Sequence, residues 1–192
     1  PARVVGLWEN AGDNSSDIAI EDNVFTGSGD LGDGVENNNQ TGLIVTSQPN
    51  PGKQVGVRGN TITNAAVGFI SQWPFYGHYV VGNDPLLIEG NTFTGNGTGL
   101  RLPGAYPNPG KYVIRYNRIV GNVTGLFAER ADDLPLPGDP HYGGDEKPSQ
   151  IDANDNWWGC NEGPSGIGCN AIEIESGDDS AVVTQDTWLV LT

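Results

Sequence analysis

The residues best suited to chemistry lie between short apolar pulses, in four polar insertions rich in Pro and Gly: 46–54, 71–85, 103–111 and 129–150. They carry Trp73, Phe75, Tyr76, Tyr79, Tyr106 and Tyr142, the two histidines His78 and His141, and the acids Asp132, Asp133, Asp139, Asp145 and Glu146. Aromatic rings beside carboxylates suit sugars: ring faces stack on pyranose faces, and acids accept hydroxyl hydrogens. A ligand surface is therefore expected on Trp73, Tyr76, Tyr79, Tyr106, Asp133 and Tyr142. The competing reading is that the rings pack the insertions down and the acids are solvated.

Two catalytic chemistries are open. A glycoside hydrolase needs carboxylates flanking one bond, roughly 5–9.5 Å apart, which Asp132, Asp133 and Asp139 could supply from a loop. A lyase needs a base, for which Arg101 is the candidate; Arg101 and Arg130 fall on or beside an apolar pulse, next to Glu129. Neither signature is intact. Residues Ile44, Ile70 and Phe127, which should neighbour Arg101, make an apolar column that loops or a partner would cover. Calcium is possible at Asp30, Asp33 and Glu36 in "GSGDLGDGVENNN", although the stretch lacks EF-hand spacing and also reads as a solvated acidic loop. No other cofactor is expected. Sequons at Asn14, Asn39, Asn96 and Asn122 are frequent by chance in a chain this rich in Asn and Thr, and glycosylation is not inferred.

The elements that must position these residues are written in a repeat. The register apolar-x-apolar-x-x-Asn-x-apolar occurs as "IAIEDNVF", "VGVRGNTI", "LLIEGNTF", "YVIRYNRI" and "IDANDNWW", with Asn at 23, 60, 91, 117 and 156. Eight residues after three of these Asn come Gly68, Gly99 and Gly125, each opening a second apolar pulse. The first copy has "GLIV" after an acidic insertion, the last has "AIEI" after a cysteine loop, and "GLW" at 6–8 looks like the tail of another copy. An antiparallel sandwich would want hairpin turns and varied strand partners. One Asn at a fixed phase, with length variation confined to insertions, instead marks a solenoid of parallel strands stacked about 4.8 Å apart. Gly and Asn are expected at the bends, where positive φ is tolerated, and the Asn amides should bond to one another along a ladder. Two residues before the Asn stand Glu21, Arg58, Glu89 and Arg115, which predicts an outer ladder of alternating charge.

These repeats resemble those of right-handed parallel β-helix domains, the pectin-lyase-like group, over about residues 5 to 175. The resemblance implies an all-β, right-handed single-stranded parallel β-helix of about five rungs with insertions on one corner. The repeats run over about 18–45, 55–70, 86–102, 112–128 and 151–174. "DANDNWWGCNEGPSGIGC" is similar to the closing rung of bacterial secreted and surface members, giving a C-terminal cap over 156–192. In such proteins a segment like "DTWLVLT" leads into further domains, so the 192 residues are expected to form one domain of a larger protein, with flanking domains of the same chain as partners. The group includes lyases, hydrolases and adhesive modules, so fold alone does not give function. The expectation is a non-catalytic extracellular structural or adhesive module binding a polysaccharide or cell-surface glycan. The alternative is a carbohydrate-active enzyme.

Charge and cysteines narrow the setting. Net charge is −15, so nucleic acid and anionic membranes are excluded as partners. No stretch approaches the ~18 apolar residues of a membrane span, and no signal peptide opens the chain, which lacks Met and reads as a mature form or fragment. Cys160 and Cys169 close a short Gly-rich loop; a disulfide there implies a secreted or cell-surface location. A metal site is less expected, since neither histidine is near them in sequence.

Overall fold

The computed structural model describes residues 5–7, 17–29, 41–45, 52–71, 85–102, 111–130, 148–177 and 180–192. Among them every regular element is a strand. A partial coil contributes β1 (Val5–Leu7), and four complete coils follow. These are β2 (Ile18–Glu21), β3 (Val24–Thr26) and β4 (Thr41–Val45); β5 (Val55–Arg58), β6 (Thr61–Thr63) and β7 (Val67–Ser71); β8 (Leu86–Glu89), β9 (Thr92–Thr94) and β10 (Thr98–Leu102); and β11 (Lys111–Arg115), β12 (Arg118–Val120) and β13 (Thr124–Ala128). A fifth coil has β14 (Gln150–Asp152) and β15 (Ile172–Ile174), and β16 (Val182–Thr184) begins another layer. All pairings are parallel. They form three stacked sheets: β2, β5, β8, β11, β14 and β16 in the first, β3, β6, β9 and β12 in the second, and β1, β4, β7, β10, β13 and β15 in the third. The expected solenoid is therefore what the chain forms, and the apolar pulses are its strands.

Register explains the alternation. Ile20, Val57, Ile88 and Ile114 lie one over another in the first sheet. Leu43, Phe69, Leu100 and Leu126 do the same in the third. All are buried. With side chains alternating across each strand, one residue of register slip would carry every one of these stacks to the outside.

The Asn ladder starts at the exposed Asn23 and runs through the interior along the buried Asn60, Asn91, Asn117 and Asn156. Each Nδ2 donates to the Oδ1 of the next coil's Asn: 3.1 Å from Asn23, 3.0 Å from Asn60, 3.0 Å from Asn91 and 2.9 Å from Asn117. The same Oδ1 also accepts from the preceding Asn's backbone N–H, at 2.9 Å for Asn60 to Asn91 and 2.8 Å for Asn91 to Asn117. The other Nδ2 hydrogen goes back to a strand carbonyl, as from Asn117 to Ile88 at 2.8 Å. Every polar atom of the interior amides is used, which is what burial demands.

The bend itself differs from expectation. Positive φ falls on the residue before each ladder Asn: Asp22 (56°), Gly59 (64°), Gly90 (65°), Tyr116 (58°) and Asp155 (57°). The ladder Asn is thereby free to aim its amide inward. The glycines that open the third-sheet pulses also serve another purpose than bending. A Cβ on Gly99 would lie 2.6 Å from the carbonyl oxygen of Gly125, so the position demands Gly because neighbouring coils approach too closely for a side chain.

A second ladder was legible in the chain but not read from it. Asn96 and Asn122 follow the first-ladder Asn by five residues, and Asn170 continues the line after the cysteine loop. Asn96 Nδ2 donates to Asn122 Oδ1 at 2.9 Å, and Asn122 Nδ2 to Asn170 Oδ1 at 3.0 Å. All three amides are buried, including Asn96 and Asn122, which lie in sequons. Cys160 and Cys169 are bonded, with Cα atoms 5.2 Å apart, so the loop leaves and rejoins the coil at one place and Asn170 returns in register.

Candidate functional site

The outward face of the first sheet carries the predicted charge ladder. Glu21 pairs in register with Arg58, Arg58 with Glu89, and Glu89 with Arg115. The Arg58 guanidinium bridges two acids, Nη1 lying 3.4 Å from Glu21 Oε1 and Nε 3.3 Å from Glu89 Oε2. Arg115 does not close the line. It donates to Asp152, which stands opposite Val113, two residues back along the strand. The fifth coil offers Asn154 at the ladder position, and Asn154 itself donates to Asp152 Oδ1 at 2.9 Å. Partial burial alone would raise the Asp152 pKa. Hydrogen bonds from the Arg115 side chain and from the Asn154 backbone and side chain, with the Arg115 charge, outweigh it and hold the pKa below the ordinary carboxylate value. The Arg115 pKa is raised, first by that hydrogen bond and then by the Asp152 charge.

The outward face of the third sheet is mostly closed. Ile44 and Ile70 are neighbours and buried, forming a small outer cluster with Val67. Two members of the apolar column are thus covered, while Phe127 is half-buried. Arg101 continues it between Ile70 and Phe127. Its Nε donates to Glu129 Oε1 at 2.6 Å, and its guanidinium carbon lies 5.9 Å from the Phe127 ring centroid. Beside it Thr124 Oγ1 donates to Glu173 Oε1 at 3.0 Å, and Arg130 Nε lies 4.0 Å from Glu175.

Of the other site residues expected from sequence, Trp73, Tyr76, Tyr79, Tyr106, Asp132, Asp133, Asp139 and Tyr142 lie outside the described residues, as do Asp30, Asp33 and Glu36. The third sheet and the next coil's first-sheet strand flank each insertion, so the insertions are launched from successive coils at one corner. Glu162 lies within 4.8 Å of the sulfurs of Cys160 and Cys169. Because the two sulfurs are joined to each other, no thiolate is left there to bind a metal.

The chain's register of coils, its inward amides and its right-handed run of parallel strands have a counterpart among known families. A model of the right-handed β-helix region matches residues 11–134, more than half of the chain. The protein belongs to the right-handed β-helix family. No curated protein and no solved structure matches it.

A β-helix needs its open ends covered, since each coil stacks only on its neighbours. Here Trp158 fills the core of the fifth coil and is fully buried. Trp188 takes the ladder position above Asn156 and ends the amide line. Its indole N–H donates to the Asn161 carbonyl at 2.9 Å, and its ring lies against Gly163. The segment after it is hydrogen-bonded to the end of the solenoid as far as Leu191, whose backbone N–H donates to Asn161 Oδ1 at 2.9 Å, while Leu189, Val190 and Leu191 remain exposed. Trp157 points the other way from Trp158: it is half-buried on the outer surface, beside Arg118.

Proposed function

We propose that this β-helix is a non-catalytic structural or adhesive module of a secreted or cell-surface protein, which binds a glycan through the corner that carries its insertions. The observation that carries the reading is the pairing of the strand-borne charges. Arg58 lies between Glu21 and Glu89, Arg115 bonds Asp152, and Arg101 bonds Glu129. A general base must reach the proton it removes, whereas Arg101 is tied to Glu129 and faces Phe127. The Cys160–Cys169 bond supports an oxidising, extracellular setting. The family includes both carbohydrate-active and adhesive proteins, which makes a saccharide the ligand to test first. The aromatic and acidic residues of the insertions supply the chemistry for it.

Incubation with neutral and acidic polysaccharides tests this reading. Retention on a glycan that is lost in Trp73→Ala and Tyr142→Ala, without cleavage, is the expected result. New reducing ends or absorbance from an unsaturated uronate, abolished by Arg101→Gln or by Asp132→Asn with Asp139→Asn, would replace the module by an enzyme.

A further inference from the structure

The left-handed bend before each ladder Asn is occupied by Asp22, Gly59, Gly90, Tyr116 and Asp155. Gly adopts this conformation freely and Asp tolerates it, but a bulky aromatic is a genuine outlier there. Tyr116 gains no burial in return, because it is 58% exposed. Backbone strain of this kind is held in place by the surrounding structure and clusters at ligand-binding and active sites. The neighbours of Tyr116 supply the second observation. Arg118, two residues on, is exposed, and its partner across the sheet is Trp157 of the next coil. Tyr116 itself receives a coil neighbour at Asp155, whose carbonyl accepts the Tyr116 backbone N–H at 3.0 Å.

On the first sheet the arginines are tied up in ion pairs. Here, among the described residues, the Tyr116 hydroxyl, the Arg118 guanidinium and the Trp157 indole N–H have no hydrogen-bond or ion-pair partner. By register Arg118 stands two residues from Tyr116 and opposite Trp157, and the neighbouring Asp155 offers a carboxylate whose Oδ1 accepts from Thr187 Oγ1, at 2.8 Å. Rings to stack on, a fork of donors and an acceptor are what a sugar ring with vicinal hydroxyls takes up. The −15 net charge and the Asp155 carboxylate beside Tyr116 disfavour an anionic ligand. From this geometry we infer that Tyr116, Arg118, Trp157 and Asp155 form a binding site for a neutral hexopyranose chain. It lies at the bend between the first and second sheets, on a different corner from the insertions, and does not depend on them.

Calorimetric titration of the whole chain with cellohexaose, mannohexaose and hexagalacturonate tests the site, alongside thermal melts. Binding of a neutral hexasaccharide is expected. Tyr116→Gly and Arg118→Gln should each weaken it at least tenfold, while Tyr116→Phe and the insertion variants Trp73→Ala and Tyr142→Ala leave it within twofold. Tyr116→Gly should also raise Tm, because Gly relieves the bend, so its loss of binding cannot be a loss of folding. Equal affinity of Tyr116→Gly and the unaltered chain overturns the inference. So does preference for hexagalacturonate, or binding of none of the three. Loss only in the insertion variants overturns it too, while leaving the insertion-corner reading intact.

Discussion

Two ladders run along this solenoid two residues apart in the same repeat, one inside and one outside, and they behave differently. The inner line of amides is continuous from Asn23 to Asn156. The outer line of charges is broken: no ion pair joins Glu89 to Arg115, and Arg115 turns to Asp152. A buried amide has no water to fall back on, so its only satisfied state is bonded to the coils above and below. An exposed arginine has many rotamers and a solvent that competes, so it takes whichever acid is better placed. Periodicity in the sequence thus guarantees a buried ladder but only proposes an exposed one.

The largest expected effect that would sharpen this contrast is at the centre of the inner line. Asn117→Ala leaves the backbone N–H and Nδ2 of Asn91 without their acceptor and should cost about 4 kcal/mol at ~1–3 per unpaired buried group. Chemical denaturation reads it; a loss below about 1 kcal/mol would mean that water enters the ladder. Asn122→Ala in the second line removes the acceptor of Asn96 in the same way. Asn122 lies near the surface, 7% exposed, so water can reach the gap and a smaller cost of about 2 kcal/mol is expected.

Outside, Glu89→Gln removes one of two acids from Arg58 and should cost only about 0.5 kcal/mol, fading at high salt. A cost equal to that of Asn122→Ala would erase the distinction between the ladders. The smallest effect is one of pH. Because the folded Asp152 pKa is depressed, its stabilising contribution is present above the unfolded value of about 3.9 and is lost as pH falls below it through the folded value. The stability gap between the native chain and Asp152→Asn should therefore be constant from pH 5 to 7 and close in stronger acid. A gap that persists at pH 2 would assign the effect to packing rather than charge.

The fold was legible because its determinants are local and repeated. Apolar residues two apart, an Asn at one phase and a Gly eight residues on identify the strands, and the strands observed fall on them. The second ladder could have been found the same way, from Asn five residues after Asn91 and Asn117. Its first member is replaced by Ala65, whose backbone N–H still donates to Asn96 Oδ1 at 3.0 Å, and its last is displaced by the cysteine loop. The candidate sites were less legible. Residues of the insertions follow no register, so their types could be read but not their arrangement. The cluster of Tyr116, Arg118 and Trp157 passed unnoticed because Tyr116 and Trp157 are 41 residues apart in the chain.

By itself, then, the sequence determined the coil: what faces inward, where the amides stack and why the chain must run in parallel layers. A side chain's inward or outward sense follows from the two-residue period of a strand, which needs no partner to be known. Only the tertiary structure decided which residue carries the strained bend, which acid Arg115 chooses and that Trp157 stands opposite Arg118. Those outcomes depend on what stands in the next coil, some thirty residues away along the chain but one strand spacing, about 4.8 Å, away in space.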